Sequence, residues 1–381
     1  MRRASSHTVF LILFVSACLL LCGASKPRPT PASASVNAPS AAPAAQFFYF
    51  AGTGNTLSGL SVSDNTVTTI PGSPFTIVSQ GQAFSMAAGK GLLFTDCYCS
   101  PYAIVEWTVD SATGALSQAS STSESSSLTV VADPTHKFLY GFGDSLYGYS
   151  INQSNGQLTP LSGSPYSPNP TVGPPAQISP DGAWICGPLF AGPGTPGAIS
   201  CAKRDPSTGA ILTGCKNQVY GGGGAYEGDG PFVKGNYPLA NILTGGSSGD
   251  GYSATGIAVL NKLSSRKIEQ LTGITGVDGA MVVDPSGTLV AVVNGNNSTV
   301  TLLSFDPTTT TLTQAAQITL PQNAGAPAFS CDGNYLAVAD SSDNTVSVYS
   351  VANDGLAEIS GSPIAIAAGS FSQGLAVCPA K

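Results

Sequence analysis

Apolar and polar residues alternate along this chain in short runs, and the runs recur. Tyr335 to Ala339 and Thr345 to Tyr349 each keep a period of two, the mark of a strand with one buried face. An apolar stretch and a tight turn precede them, and a short strand, Leu356 to Ile359, follows. The same order surrounds five turns: Ala87-Ala88-Gly89-Lys90, Asp133-Pro134-Thr135-His136, Ser179-Pro180-Asp181-Gly182, Asp284-Pro285-Ser286-Gly287 and Ser330-Cys331-Asp332-Gly333. The first three start 46 residues apart, and so do the last two. A weaker copy, Phe232-Val233-Lys234-Gly235, bridges the 105 residues between Ser179 and Asp284, and a half-copy closes the chain at Leu375 to Pro379. Pro sets φ near −65° and Gly accepts positive φ, so the two strands flanking such a turn can reverse tightly.

Four strands per unit and a period of 40 to 50 residues predict an all-β, seven-bladed β-propeller of four-stranded antiparallel blades. The ends explain its closure. Gly374 to Cys378 carries only an inner strand, whereas Phe47 to Ala51 matches the second strand of a blade and is followed by Leu57 to Val62 and Val67 to Ile70. The two termini are therefore expected to build one blade together, which removes two open sheet edges.

Composition narrows the function. Only 9% of the residues are charged, and 14 basic side chains face 21 acidic ones for a net charge of −7. That balance leaves no basic footprint for nucleic acid or an anionic lipid surface. Two histidines among 381 residues, one of them His7 near the N-terminus, exclude a His-rich metal site. His136 stands in the slot that Gly182, Gly287 and Gly333 hold elsewhere, and is read as a turn residue with left-handed φ.

Residues 1–24 read as an export signal: Arg2 and Arg3 precede the apolar run Val9 to Ala17. Two routes stay open, lipidation at Cys18 or Cys22 by a bacterial lipobox, or a plain cut after Ala24. The product would be extracytoplasmic: periplasmic, membrane-anchored or secreted, and in contact with the membrane only through such an anchor. Residues 25–45 are rich in Pro, Ala and Ser and read as a tether of up to roughly 60 Å. The propeller is assigned to residues 46–381.

The SPDG-like turns, the strands of Asn-x-x-x-Thr-Val-x-Val type, and the recurring Gly72-Ser73-Pro74-Phe75, Gly163-Ser164-Pro165-Tyr166 and Gly361-Ser362-Pro363-Ile364 resemble the lactonase-family propellers, also called YVTN-repeat proteins. The resemblance spans residues 46 to 380 and implies 6-phosphogluconolactonase-like chemistry from His, Glu and Arg around a central channel. The side chains that carry it are replaced here. Pro175 to Ile178 and Pro188 to Phe190 stand where the fourth unit would hold His and Asp-Leu-Gly. Gly230 to Val233 and Asn241-Ile242 replace Gly-Pro-Arg-His and Asn-Glu in the fifth, and Asn294-Gly295-Asn296 replaces Asn-Arg-Gly in the sixth. Lactone opening needs a positioned base and a donor for the developing oxyanion.

Gly187 to Gly251 departs furthest from the repeat, and its Tyr220, Tyr226, Glu227 and Asp229 are read as loop residues able to stack or accept hydrogen bonds. By blade order this segment shares a face with the loops carrying Tyr98, Asn294, Asn296 and Asp343, and such loops on a rigid scaffold commonly bind. Arg204, Arg266 and Lys267 read as surface charge. Gly223-Gly224-Ala225 lacks the Lys-Ser/Thr of a phosphate loop. Seven cysteines follow the signal; Cys186, Cys201 and Cys215 fall on successive strands of one blade, Cys331 and Cys378 at matching points of neighbouring blades, and Cys97-Tyr98-Cys99 forms a lone C-x-C. The expectation is a monomeric module without cofactor or metal that binds a protein or glycan on its loop face, with a divergent lactonase as the alternative.

Overall fold

In the computed structural model the described residues are 44–379, apart from 53, 78–81, 167–175, 190–197, 220–223, 228–230, 245–252, 262–269, 278, 295–297, 321–323 and 368–372. They form seven antiparallel sheets whose main path in each case has four strands. Blade one combines Gln373–Val377 with Gln46–Ala51, Thr56–Ser63 and Thr66–Thr69. Blades two to seven follow in chain order, with inner strands Gln82–Gly89, Thr129–Ala132, Gln177–Ile178, Gly224–Glu227, Ala280–Val283 and Ala324–Phe329.

The core lies between blades rather than within any of them. Each of seven apolar clusters among the described residues straddles two neighbours, and the last, with Phe48 and Phe50 against Ala337 and Val346, joins blade one to blade seven. Where the sequence pattern implied one buried face, the middle strands are buried on both, as Leu336 to Ala339 are throughout, and so present apolar side chains to the blade on either side.

Terminal closure takes the expected form. Gln373–Val377 pairs antiparallel with Gln46–Ala51, Phe47 opposite Val377 and Ala51 opposite Gln373. Cys378, one residue further on, is bonded on both sides: its sulfur joins Cys331 in the turn of blade seven, and its carbonyl accepts the Gly91 amide of blade two at 2.9 Å.

The repeated Gly-Ser-Pro motif has one job in three blades. The hydroxyls of Ser73, Ser164 and Ser362 accept the amides of Gly59, Gly148 and Val348 at 2.9, 3.0 and 2.9 Å. Each amide belongs to the third strand of its blade, and the Ser–Pro peptide that follows is cis in all three. The side chain thus satisfies a donor that the outer strand leaves behind as it turns away. His136 has φ of 56°, as its slot in the turn requires.

Candidate functional site

The antiparallel order sorts the connections by end. The Pro-Gly turns lie at one end of the ring, the turn end. Loops between second and third strands, and those from an outer strand to the next inner one, lie at the other, the loop end.

Three sequence candidates fall at described positions of the loop end. Tyr98, at the tip of the blade-two strand Leu92–Tyr98, is 52% exposed, and its ring centroid lies 5.4 Å from that of Tyr102. Asp343 is exposed in the blade-seven loop and accepts the Thr345 hydroxyl at 2.7 Å. Asn294 ends the blade-six strand Leu289–Asn294 and is buried. Tyr226 and Glu227 need correction. They lie in the inner strand Gly224–Glu227 of blade five, opposite Ile242 and Asn241, and not in a loop insert. Phe232–Val233 pairs with the same second strand, so the inner edge of this blade comes in two pieces. The glycines around the first piece hid its strand character. Tyr220, Asp229, Asn296, Arg266, Lys267, Cys18 and Cys22 lie outside the described residues.

Below the loop end, the seam between blades two and three holds three carboxyl groups. Asp96 is fully buried and accepts the Ser127 hydroxyl at 2.6 Å and the Leu128 amide at 3.0 Å. Glu106, also fully buried, accepts the Thr122 hydroxyl at 2.6 Å through Oε1. Glu124 accepts the Tyr149 hydroxyl at 2.7 Å. Burial holds the Asp96 and Glu106 carboxyls above the usual carboxylate range, only partly offset by these donors. Burial raises Glu124 as well; the Tyr149 bond opposes it, and the charges of Asp96 and Glu106 add to it.

Arg204 is a second correction. Read as surface charge, it is buried between blades three and four, where Nη2 meets Asp133 Oδ2 at 3.1 Å and the guanidinium lies over the rings of Phe138 and Tyr140 at 5.2 and 5.4 Å. Burial pushes the Asp133 carboxyl up, but the Thr135 hydroxyl, the amides of Phe138 and Thr135 and the Arg204 charge outweigh it, so it sits below the ordinary range. The sequence pattern carried no sign of this pair, because the two residues are 71 positions apart.

The turn end carries a cavity of about 380 Å³ that sequence reasoning missed. Its lining comes from the inner edges and turns of blades three to six, with Pro134, Pro180 and Pro285 from the turns of blades three, four and six, Pro231, Phe232 and Met281 below them, and Lys234 of the blade-five turn as its cation. The turn alignment already placed three prolines in one slot, which was the available signal. Asp284 also lines it, but its carboxylate is committed to the turn, accepting the amides of Ser286, Thr288 and Leu289 at 2.9, 2.9 and 2.6 Å. Among the described residues no group of three or more His, Cys, Asp or Glu is arranged to hold a metal ion.

Cysteines pair as Cys97–Cys99, Cys186–Cys201 and Cys331–Cys378. The second of these joins directly opposed residues of neighbouring strands in blade four.

No protein-family model matches the chain, and no curated protein does. Solved structures share its fold. A 6-phosphogluconolactonase candidate from Bacteroides uniformis is 13% identical with a TM-score of 0.64, covering 87% of this chain and 99% of its own. The periplasmic gluconolactonase of Pseudomonas aeruginosa gives the same four values. A further 6-phosphogluconolactonase candidate, from Bacteroides fragilis, is 14% identical with a TM-score of 0.62 over 89% of this chain and 100% of its own. At this identity the likeness is one of fold, and a fold of this kind hosts many activities.

Proposed function

We propose that the protein is an exported propeller that binds a protein or glycan partner through its loop end and carries no hydrolytic site there. The use of the acids at that end carries this reading. Asp96 holds Ser127 and Leu128, Glu106 and Glu124 are drawn into the seam, Asp340 accepts the Ser342 amide at 2.8 Å, and Asp343 holds Thr345. Each of these five carboxyl groups positions a neighbouring segment instead of facing a cation across an open site, whereas lactone opening requires a base and an oxyanion partner facing one substrate. The exposed Tyr98 with Tyr102 beside it offers the rigid aromatic surface that protein and glycan partners use. Three disulfides support export, since such bonds persist in oxidising compartments.

A divergent lactonase is the second reading, favoured by Lys234 in the turn-end cavity, where an ammonium group could polarise a lactone carbonyl. Purified protein incubated with gluconolactone and 6-phosphogluconolactone, with acid release followed at constant pH, separates the two. The binding reading expects the spontaneous rate. Saturable acceleration that disappears in Lys234→Met would replace it with the second reading.

A further inference from the structure

The three disulfides differ in what they can do for the fold. A cross-link stabilises chiefly by restricting the unfolded chain, and the effect grows with the loop it closes. Cys331–Cys378 spans 47 positions and Cys186–Cys201 spans 15, while Cys97–Cys99 spans 2. The last one therefore removes almost no unfolded-state freedom. It adds no register either, because the backbone of Cys97 is already held opposite Ala83 on one side and Ala103 on the other.

Its placement is that of a reaction site. Cys99 sits partly exposed just past the strand tip, beside the exposed Tyr98, while Cys97 is fully buried in the apolar cluster between blades one and two. An approaching thiolate can reach one sulfur and not the other.

We propose that Cys97–Cys99 is a site of thiol–disulfide exchange that reacts with external dithiols while the ring stays folded. The attacking thiolate bonds to Cys99 Sγ and the bond between the two protein sulfurs breaks. Cys97 leaves and takes up a proton. The mixed disulfide on Cys99 then stands two residues from the Cys97 thiol, whose high effective concentration returns a monothiol adduct to the starting bridge. A dithiol escapes that reversal: its second sulfur attacks its own bridged sulfur, expels Cys99 as thiolate and closes a new disulfide. Two electrons and two protons pass from the dithiol to the cysteine pair, so the dithiol is oxidised as the pair is reduced.

The test uses the purified full chain without denaturant, exposed to dithiothreitol or to glutathione at matched thiol concentration, trapped with iodoacetamide and mapped by peptide mass. Dithiothreitol is expected to leave Cys97 and Cys99 alkylated at a concentration about tenfold below that needed for the other two bridges, with glutathione about tenfold less effective. The melting midpoint should be unchanged, both in the selectively reduced protein and in a Cys97→Ser, Cys99→Ser double variant. Loss of all three bridges together, equal efficacy of glutathione, alkylation of both thiols before any reductant, or a large fall in the midpoint of the double variant would each overturn the proposal.

Discussion

The Tyr140 hydroxyl of blade three donates to the Gly209 carbonyl of blade four at 2.5 Å. Tyr49 and Gly114 repeat the contact between blades one and two at the same distance. Both glycines hold φ of 75°, and a Cβ on Gly209 would lie 2.5 Å from Phe138 Cδ1. Gly209→Ala therefore combines a left-handed backbone with a steric overlap, and is expected to cost roughly 2–4 kcal/mol. Urea unfolding followed by fluorescence measures it; a change below about 0.5 kcal/mol, the range of ordinary surface substitutions, would contradict the close approach.

Removing Arg204 leaves the Asp133 carboxylate buried without its cation and strips the guanidinium from two aromatic rings. Arg204→Met is expected to cost roughly 3–5 kcal/mol, the usual penalty for breaking one side of a buried pair. The same unfolding measurement applies, and a neutral result would mean that Asp133 is held by its turn amides alone.

Acid and neutral pH should act on different carboxyl groups. Asp96, Glu106 and Glu124 have raised values in the folded protein, so their contribution is fully present below the unfolded values of about 4 and is lost as pH rises through the folded ones. Asp133 is lowered, so its contribution is present above about 4 and is lost as pH falls through its folded value. Above about pH 4, Glu106→Gln is expected to flatten the decline of the melting midpoint as pH rises, whereas Asp133→Asn should lower the midpoint above about pH 4 and remove part of its fall on acidification. Identical pH profiles for wild type and Glu106→Gln would remove the buried acid from the account.

Binding through the loop end makes the aromatic pair the anchor. Replacing both Tyr98 and Tyr102 by Ser should weaken any glycan identified on an array by about 2 kcal/mol or more, roughly thirtyfold in affinity. Lys234→Met at the opposite end should leave that affinity unchanged. The reverse outcome would move the binding site to the turn end.

Blade number, the shared terminal sheet and the left-handed His136 were legible because they rest on local signals that repeat: a period of two within strands, a turn every 46 residues, and a turn slot filled by Gly elsewhere. The features that escaped rest on contacts between distant positions. Arg204 looks like any exposed cation until the ring brings Asp133 of the preceding blade against it. Glu106 lies in a strand whose polar neighbours Thr122 and Ser120 come from the next strand, so its burial has no local mark. Gly224–Glu227 carries no strand signature of its own because glycine weakens the pattern, and only pairing with Asn241 to Thr244 establishes it as an inner edge.

Everything at either end of the ring depends on the last strand completing the first sheet. Hydrogen exchange across residues 46–51, compared between the full chain and a chain lacking residues 373–381, measures that directly. Slow exchange in the full chain, lost in the shortened one together with its cooperative melting, is the expected result. Equal protection and an unchanged melting midpoint in the shortened chain would contradict the closure.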